Sequence, residues 1–148
     1  MSIFSSFDIN SSGMTAQRYR MDIISQNLAN ANTTRTEDGT PYRRKVVTFA
    51  EKGSNTPFSH VLNTATDHYS GSGVKVDGVH EDTWTDSVLT YDPSHPDADE
   101  NGYVEYPNVN IVTEMTNMID ASRAYEANAT AFNASKSMAL KGLDMSGQ

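Results

Sequence analysis

Cysteine is absent from the 148-residue chain. That excludes a disulfide framework, a thiol nucleophile and a thiolate metal site. Large apolar residues are scarce. Leu, Ile, Val and Phe number 26 together, whereas Ser, Thr and Asn number 43. Few aliphatics combined with a formal net charge of −8 is the composition of a chain that struggles to close its own core. A compact domain of this length buries roughly 68–70% of its unfolded surface. Either part of the chain is disordered, or something outside it completes the core. No run of about 18 apolar residues exists, so no transmembrane helix is expected. The start, Met1 to Phe7, lacks a basic segment and a continuous apolar stretch, so no cleavable secretory signal is expected either. Cations are also few. A pI near 4.8 argues against non-specific binding to nucleic acid, which needs a positive surface.

The charge is unevenly placed. Residues 33–108 hold thirteen acids and six bases, which is −7 of the total −8. Residues 1–32 and 109–148 are close to neutral. Neutral ends can approach copies of themselves without long-range repulsion, and the acidic middle faces water at lower cost. All five prolines lie in residues 41–107, so neither end carries a helix breaker.

Both ends carry heptads. Phe7, Met14, Met21 and Leu28 recur every seven residues, and so do Ile3, Asn10, Gln17, Ile24 and Ala31. The two rows fall on one helical stripe. Asn10, Ser11 or Ser12 can cap, which predicts a firm helix from about Met14, and Gly13 weakens the pattern by about 1 kcal/mol relative to Ala. At the other end Ile111, Met115, Met118, Ser122, Tyr125, Ala129, Phe132, Lys136, Ala139 and Leu143 alternate steps of four and three. Val112, Ile119 and Leu140 widen that stripe, Asn108 or Asn110 can cap it, Glu114 suits its first turn and Lys141 its last. A helix over 111–141 would be about 46 Å long.

Between the helices the period changes. Tyr42–Phe49, Val74–Val79, Val88–Tyr91 and Tyr103–Tyr106 read as short strands, β-branched or aromatic and bounded by Gly, Pro, Asp and Asn. Thr33–Pro41, Lys52–Gly73 and Asp92–Gly102 read as loops, with turn pairs at Asp38-Gly39 and Asn101-Gly102. The predicted fold is mainly α with a small β-rich insert. Its long N- and C-terminal helices pair as a coiled coil, with residues 1–32 and 109–148 forming one discontinuous domain around an acidic insert, 33–108.

Catalytic patterns are missing. No nucleophile elbow, P-loop or dinucleotide fingerprint occurs. His60, His68, His80 and His95 form no helical metal pair, and zinc needs three or four convergent ligands. Asp97-Ala98-Asp99-Glu100-Asn101-Gly102 matches the first half of a calcium loop, D-x-D-x-N-G. The twelfth position is Asn108 rather than a bidentate Glu, and Pro93 and Pro96 forbid the preceding helix. An acidic surface turn is the plainer reading. A soluble calcium-binding or adaptor module using residues 97–102 stands as the alternative from a different class. No enzyme, cofactor or resident metal is expected. Arg43-Arg44-Lys45 is the one basic run. It reads as an exposed strand or as a dock for an acidic neighbour, such as another copy's insert. Trp84 and Tyr91 read as packing residues of the insert.

The stripes themselves admit an ordinary helical hairpin core. Ser122, Asn10, Gln17 and Lys136 within them bury poorly in a private core, which favours a coiled-coil protein that finishes packing by assembling.

Several segments then converge on one family. Ile24-Ser25-Gln26-Asn27-Leu28-Ala29-Asn30-Ala31-Asn32-Thr33 resembles the N-L-A-N-x-N-T signature of bacterial flagellar rod and hook proteins. Asp38-Gly39-Thr40-Pro41-Tyr42-Arg43-Arg44-Lys45 is similar to the D-G-x-P-Y-R-x-K segment of the short proximal rod proteins of the basal body. Tyr91-Asp92-Pro93, Ala98-Asp99 and Gly102-Tyr103-Val104 resemble their Y-x-P…A-D-x-x-G-Y-V loop. Pro107-Asn108-Val109, Glu114-Met115, Ser122-Arg123-Ala124-Tyr125-Glu126-Ala127-Asn128 and Lys136-Ser137-Met138 resemble their P-N-V…E-M…S-R-x-Y-x-A-N…K-S-M series. The resemblance covers almost the whole chain and is weakest over residues 50–73. Another short rod or hook-junction subunit of the same family is the nearer alternative.

The resemblance implies a structural subunit of the basal-body rod. It implies export by the flagellar type III apparatus without a cleaved signal, and a place in the rod spanning the periplasm. It also implies helical stacking with copies of itself and other rod proteins, contact with membrane-ring and export-gate components, and a hollow shaft that carries torque and encloses the export channel. Direct membrane insertion and nucleic-acid binding are not expected. The expected assembly residues are Asn27, Leu28, Ala29, Asn30, Asn32, Thr33, Pro41, Tyr42, Arg43, Glu114, Met115, Arg123, Tyr125, Asn128, Lys136 and Met138. They join the stripe residues Phe7, Met14, Met21, Ile24, Ile111, Met118, Phe132 and Leu143. Asn27, Asn30 and Asn32 would fix the exit from the first helix, because Asn side chains bond local backbone, and with it the junction with the next subunit. The apolar start Ile3, Phe4, Phe7 and Ile9 would also serve export.

Overall fold

In a computed structural model, residues 3–53 and 72–146 are described, with side chains over 5–53 and 72–145. The central part of the predicted Lys52–Gly73 loop, with His60 and His68, lies outside the described residues, as do the side chains of Ile3 and Phe4. The elements are α1 (Ile3–Ala29), β1 (Lys45–Glu51), β2 (Val74–Glu81), β3 (Val88–Tyr91), β4 (Tyr103–Tyr106) and α2 (Ile111–Ser146). The mainly α class with a small β insert is what forms. At 27 and 36 residues the helices are about 40 and 54 Å long.

α1 starts earlier than its capping residues suggest. Ser12 Oγ donates to Ile9 O at 2.7 Å and Thr15 Oγ1 to Ser11 O at 3.0 Å. These hydroxyls bond back into the preceding turn, which lets them sit inside a helix instead of opening one. Ser12 Oγ also accepts from Val74 N–H at 3.1 Å, so the same hydroxyl anchors the start of β2. In α2, Asn110 caps: its Oδ1 accepts from Thr113 N–H at 3.1 Å.

β1 and β2 form one two-stranded sheet, and β3 and β4 another. Bonds from Lys52 N to Gly73 O and from Asp82 N to Arg44 O bracket the first sheet and run it antiparallel. In the second, Val88 faces Tyr106 and Tyr91 faces Tyr103. The Tyr91 and Tyr103 rings meet edge to face at 5.3 Å. Gly102, at φ +83°, makes the turn into β4. A Cβ there would come within 3.0 Å of the Tyr91 ring.

The chain divides into two compact units. One comprises Met1–Tyr19, Phe49–Asp77 and Ala121–Gln148. Within it α1 and α2 run antiparallel. The Phe7 and Phe132 rings lie 5.0 Å apart, and Gly13 sits against Asn128 so closely that a Cβ on it would reach Asn128 Oδ1 at 2.8 Å. A glycine that looks like a helix weakness is therefore a point of close helix approach. Among the described residues, Ala121 and Ala16 are the buried ones here.

The other unit comprises Arg20–Thr48 and Gly78–Asp120. Its buried residues are Ile23, Ile24, Ala31, Val104 and Pro107 together with three polar ones, Asn27, Asn108 and Glu114. On α2 the buried positions Glu114 and Ala121 lie one residue before Met115 and Ser122 of the four-and-three series. Ile111, Met115 and Leu143 of that series are exposed.

Candidate functional site

The second unit has a polar centre where an apolar one would be expected. Asn27 stands on the last turn of α1, near the buried Ile23, Ile24 and Ala31. Its carboxamide makes four hydrogen bonds. Nδ2 donates to Lys45 O at 2.8 Å and to Glu114 Oε2 at 3.0 Å. Oδ1 accepts from Lys45 N–H at 2.9 Å and Tyr42 O–H at 2.9 Å. That is the full capacity of an Asn side chain.

Glu114, 1% exposed, is the largest fully buried side chain among the described residues. A lone carboxylate there would cost several kcal/mol. Arg44 offsets that cost. Its Nε donates to Glu114 Oε1 at 2.9 Å, and Nη2 lies 2.8 Å from the same oxygen. Asn117 Nδ2 adds a weaker donor at 3.4 Å. Nη1 of Arg44 reaches Asp82 Oδ2 at 3.7 Å.

Asn108 closes the far side. Its Oδ1 accepts from Arg44 N–H at 2.8 Å, and its Nδ2 donates to Asp82 O at 2.9 Å and Thr85 O at 3.1 Å. Two carboxamides, one carboxylate and one guanidinium thus bind α1, β1, the β2–β3 connection and both sides of the entry to α2 into one knot.

Burial, then the negative charges of Glu81 and Glu114, pushes the Tyr42 phenol above its ordinary value of 10.0. The Thr85 backbone N–H and hydroxyl, helped by Trp84 N–H and Arg44, hold the Asp82 carboxyl below its ordinary 3.8. These donors favour the charged carboxylate.

The expected assembly residues fall into three groups and one residue, Asn128, outside them. Asn27, Tyr42 and Glu114 meet in the knot. Asn30 and Thr33 build the exit turn of α1: Asn30 Nδ2 donates to Gln26 O at 2.9 Å, and Thr33 Oγ1 donates to Asn30 Oδ1 at 3.2 Å. Tyr42 N–H then donates to Thr33 O at 3.1 Å, returning the chain to the knot past the half-buried Pro41. Leu28, Ala29, Asn32, Arg43, Met115, Arg123, Tyr125, Lys136 and Met138 are surface residues, and Asn128 packs against Gly13. Of the stripe, Ile24 is buried, and Phe7, Met14, Met21, Met118 and Phe132 are half-buried.

Arg44 departs from the reading of its basic run as a dock for another molecule: its partners Glu114 and Asp82 are in its own chain. Lys45 Nζ lies 5.9 Å from the Tyr42 ring centroid, and Arg43 is exposed. Trp84 is 94% exposed and does not pack the insert as expected, whereas Tyr91, though exposed on one side, packs its ring on Tyr103. Asn108 and Asp82 were the residues that motif reading missed as a pair. Nothing in their spacing, 26 positions apart, signals that one bonds the other's carbonyl.

The calcium-like segment spends its oxygens otherwise. Asp99 Oδ1 accepts from Asn101 N–H at 2.9 Å and Tyr103 N–H at 2.7 Å. The Tyr103 N–H leads the donors that hold the Asp99 carboxyl low. Asp97 accepts from Thr34 Oγ1 at 2.8 Å and pairs with Arg35 at 3.7 Å. Among the described residues no group of three or more His, Asp or Glu is placed to hold a metal ion. The geometry is that of an acidic turn that caps its own backbone.

The knot offers no chemistry to a substrate. Its carboxylate is saturated with donors and sealed from solvent, so it cannot serve as an accessible base. What it can do is fix geometry.

Comparison with known proteins agrees. A family described as flagella basal body rod protein matches residues 7–35, and one described as the flagellar basal body rod FlgEFG protein C-terminal region matches residues 100–145. The flagellar basal-body rod protein FlgC of Borreliella burgdorferi is 49% identical over 146 residues, spanning 93% of each chain. The chain belongs to the flagellar basal-body rod protein FlgC family. The FlgC protein of Bacillus subtilis is 44% identical over 151 residues, covering 98% of this chain and 99% of its own. That of Aquifex aeolicus is 40% identical over 136 residues, covering 92% and 91%. As a FlgC-family member the chain is a structural subunit of the basal-body rod and not an enzyme, and the calcium-module alternative is set aside. The two family matches fall on the helical ends, and the knot joins those ends: Asn27 lies in one match and Glu114 in the other.

Proposed function

We propose that this rod subunit assembles through its two helices, which pair as a coiled coil and stack helically with copies of itself and other rod proteins. The single observation that carries this is the large apolar surface left outside on α2. Ile111, Val112, Met115 and Ile119 near its start, and Met138, Leu140, Leu143 and Met145 near its end, are all exposed. So much aliphatic surface on one helix is a mark of protein–protein association. It also accounts for the thin composition: neighbours supply the rest of the core.

In this reading residues 1–32 and 109–148 form one discontinuous assembly domain, and 33–108 form an acidic insert held further out. The exposed motif residues Leu28, Asn32, Arg43, Arg123, Tyr125, Lys136 and Met138 meet neighbouring subunits. The stack is hollow, encloses the export channel and passes torque along the rod through many weak contacts, with no catalytic group required. The subunit reaches the rod, across the periplasm, through the type III export apparatus, and its first residues serve export. Membrane-ring and export-gate components are its neighbours at the base.

Complementation of a strain lacking the subunit tests this. Chains lacking residues 1–30 or 112–148 are expected to leave cells non-motile, with basal bodies that stop short of a complete rod in electron micrographs. A working flagellum built with either truncation would overturn the assembly reading.

A further inference from the structure

The apolar rows of the helices do not by themselves choose one alignment. On α1 the row is Phe7, Met14, Met21 and Leu28, spaced by seven. α2 carries its own row with the same spacing, from Ile111 through Met118 and Tyr125 to Phe132. The Phe7–Phe132 ring contact sets one against the other. Counting by sevens from it places Met14 level with Tyr125 and Met21 level with Met118. Sliding one helix by a heptad still sets apolar against apolar along most of the length. Charge does not decide either, because the slide that takes Glu114 off Asn27 brings it level with Arg20.

Asn27 does discriminate. Its four bonds go to Glu114 on α2, to both backbone groups of Lys45 and to the Tyr42 hydroxyl. The Glu114 bond is lost in any other alignment, and because Arg44 beside Lys45 also holds Glu114, β1 cannot keep both Asn27 and Glu114 once the helices slide, which leaves a buried carboxamide or a buried carboxylate short of partners. A single buried polar residue is a known way to fix register in paired helices.

We propose that the Asn27–Glu114–Arg44 knot is a register lock that selects one heptad alignment of α1 and α2 from several that the apolar rows permit. It rests on the reading of these helices as a paired unit. Because Lys45 and Asn108 belong to the same knot, the lock also ties the start of β1 and the entry to α2 to that alignment.

The chain lacks cysteine, so engineered disulfides report register directly. Gly13→Cys with Asn128→Cys reports the alignment seen, where these positions touch. Gly13→Cys with Ala121→Cys reports a slide of one heptad. Those positions are otherwise offset by roughly 10 Å along the helix, beyond disulfide reach. In the full-length chain with its knot intact, only the first pair is expected to close on oxidation. Replacing the knot by apolar residues of similar size (Asn27→Leu, Arg44→Met, Glu114→Leu) is expected to keep the helical circular dichroism. The yield of the second pair then rises by roughly tenfold or more, the ratio that loss of one strong polar constraint produces. Glu114→Gln, which keeps the volume, serves as a milder background and is expected to give a smaller rise. Exclusive closure of the first pair in both altered backgrounds would overturn the lock while leaving the paired helices intact. Failure of the first pair to close even with the knot intact would overturn the paired-helix reading and the lock with it.

Discussion

Asn27 and Glu114, 87 positions apart in sequence, share a buried hydrogen bond of 3.0 Å. Everything around it is arranged so that neither group loses its hydration without a replacement. The expected consequence of breaking this arrangement from one side is large. Glu114→Ala leaves the Arg44 guanidinium without its main partner, and Asn27→Ala leaves Lys45 N–H and Glu114 short of bonds. Either substitution should lower unfolding free energy by about 3–5 kcal/mol. Urea titration followed by helical circular dichroism measures it. Fluorescence is a poor probe because Trp84, the single tryptophan, is already in solvent. A loss under about 1 kcal/mol would mean that the knot is decorative.

The double substitution Glu114→Ala with Arg44→Ala separates the pair from its parts. If the charges stabilise each other, the double variant should be less destabilised than the sum of the singles, with a coupling of about 1–3 kcal/mol. Additive losses would mean that each side chain acts through packing alone.

Stability should depend on pH at both extremes. Asp82 has a folded pKa below its unfolded value. Its contribution is present above the ordinary carboxylate range and is lost as pH falls through the lowered folded value. Asp92, held low chiefly by the Ser94 hydroxyl, and Asp99 act in the same direction. Tyr42 is the opposite case. Its folded pKa is raised, so its contribution is complete below 10.0 and is lost as pH rises through the folded value. Thermal midpoints should therefore fall on the acid side below about pH 4 and on the alkaline side above about pH 10. Tyr42→Phe should flatten the alkaline limb, at a loss of about 1 kcal/mol near neutrality for the bond to Asn27. An unchanged alkaline limb would assign it to other tyrosines.

These residues also mark what a reader of the sequence can and cannot see. The two helices are legible because the steps of four and three repeat over many turns, and a long period leaves little ambiguity. The strands Val88–Tyr91 and Tyr103–Tyr106 are legible from their β-branched and aromatic content between turn residues, and both ranges match, though not that they pair with each other. The start of β1 is not. Tyr42 reads as its first residue, but Asn27 holds the Tyr42 hydroxyl, and the strand begins only at Lys45. The start of α1 is hidden because a serine beside a helical run looks like a cap, and only the position of Ile9 O reveals that Ser12 bonds backwards. The knot is the least legible feature. Family motifs flag Asn27, Tyr42 and Glu114 separately. Nothing local says that they meet, since Arg44 lies 70 positions from Glu114 and 64 from Asn108. Arg44 in particular sits in a basic triplet whose surface reading is the commoner one.

Gly13 supports a last prediction in which two effects oppose each other. Ala is about 1 kcal/mol better than Gly inside a helix, so in isolation Gly13→Ala should stabilise α1. Within the first unit, though, a Cβ would approach Asn128 Oδ1 to 2.8 Å and Asn128 Cγ to 3.0 Å. Asn128 cannot swing aside freely, because its Nδ2 already donates to Ala124 O at 2.8 Å. Overpacking of this kind costs about 1–3 kcal/mol. The clash should win narrowly in Gly13→Ala and clearly in Gly13→Val, where the branched side chain adds its own strain. Asn128→Ala removes the obstructing carboxamide. Combined with Gly13→Ala it should recover stability to about the level of the unsubstituted chain, because the propensity gain is then no longer opposed. Denaturant midpoints for the two single variants and the double variant check this. Motility of cells carrying each should follow the same order. If Gly13→Ala alone is the more stable chain, the helices do not approach as closely at this point as the structure has them.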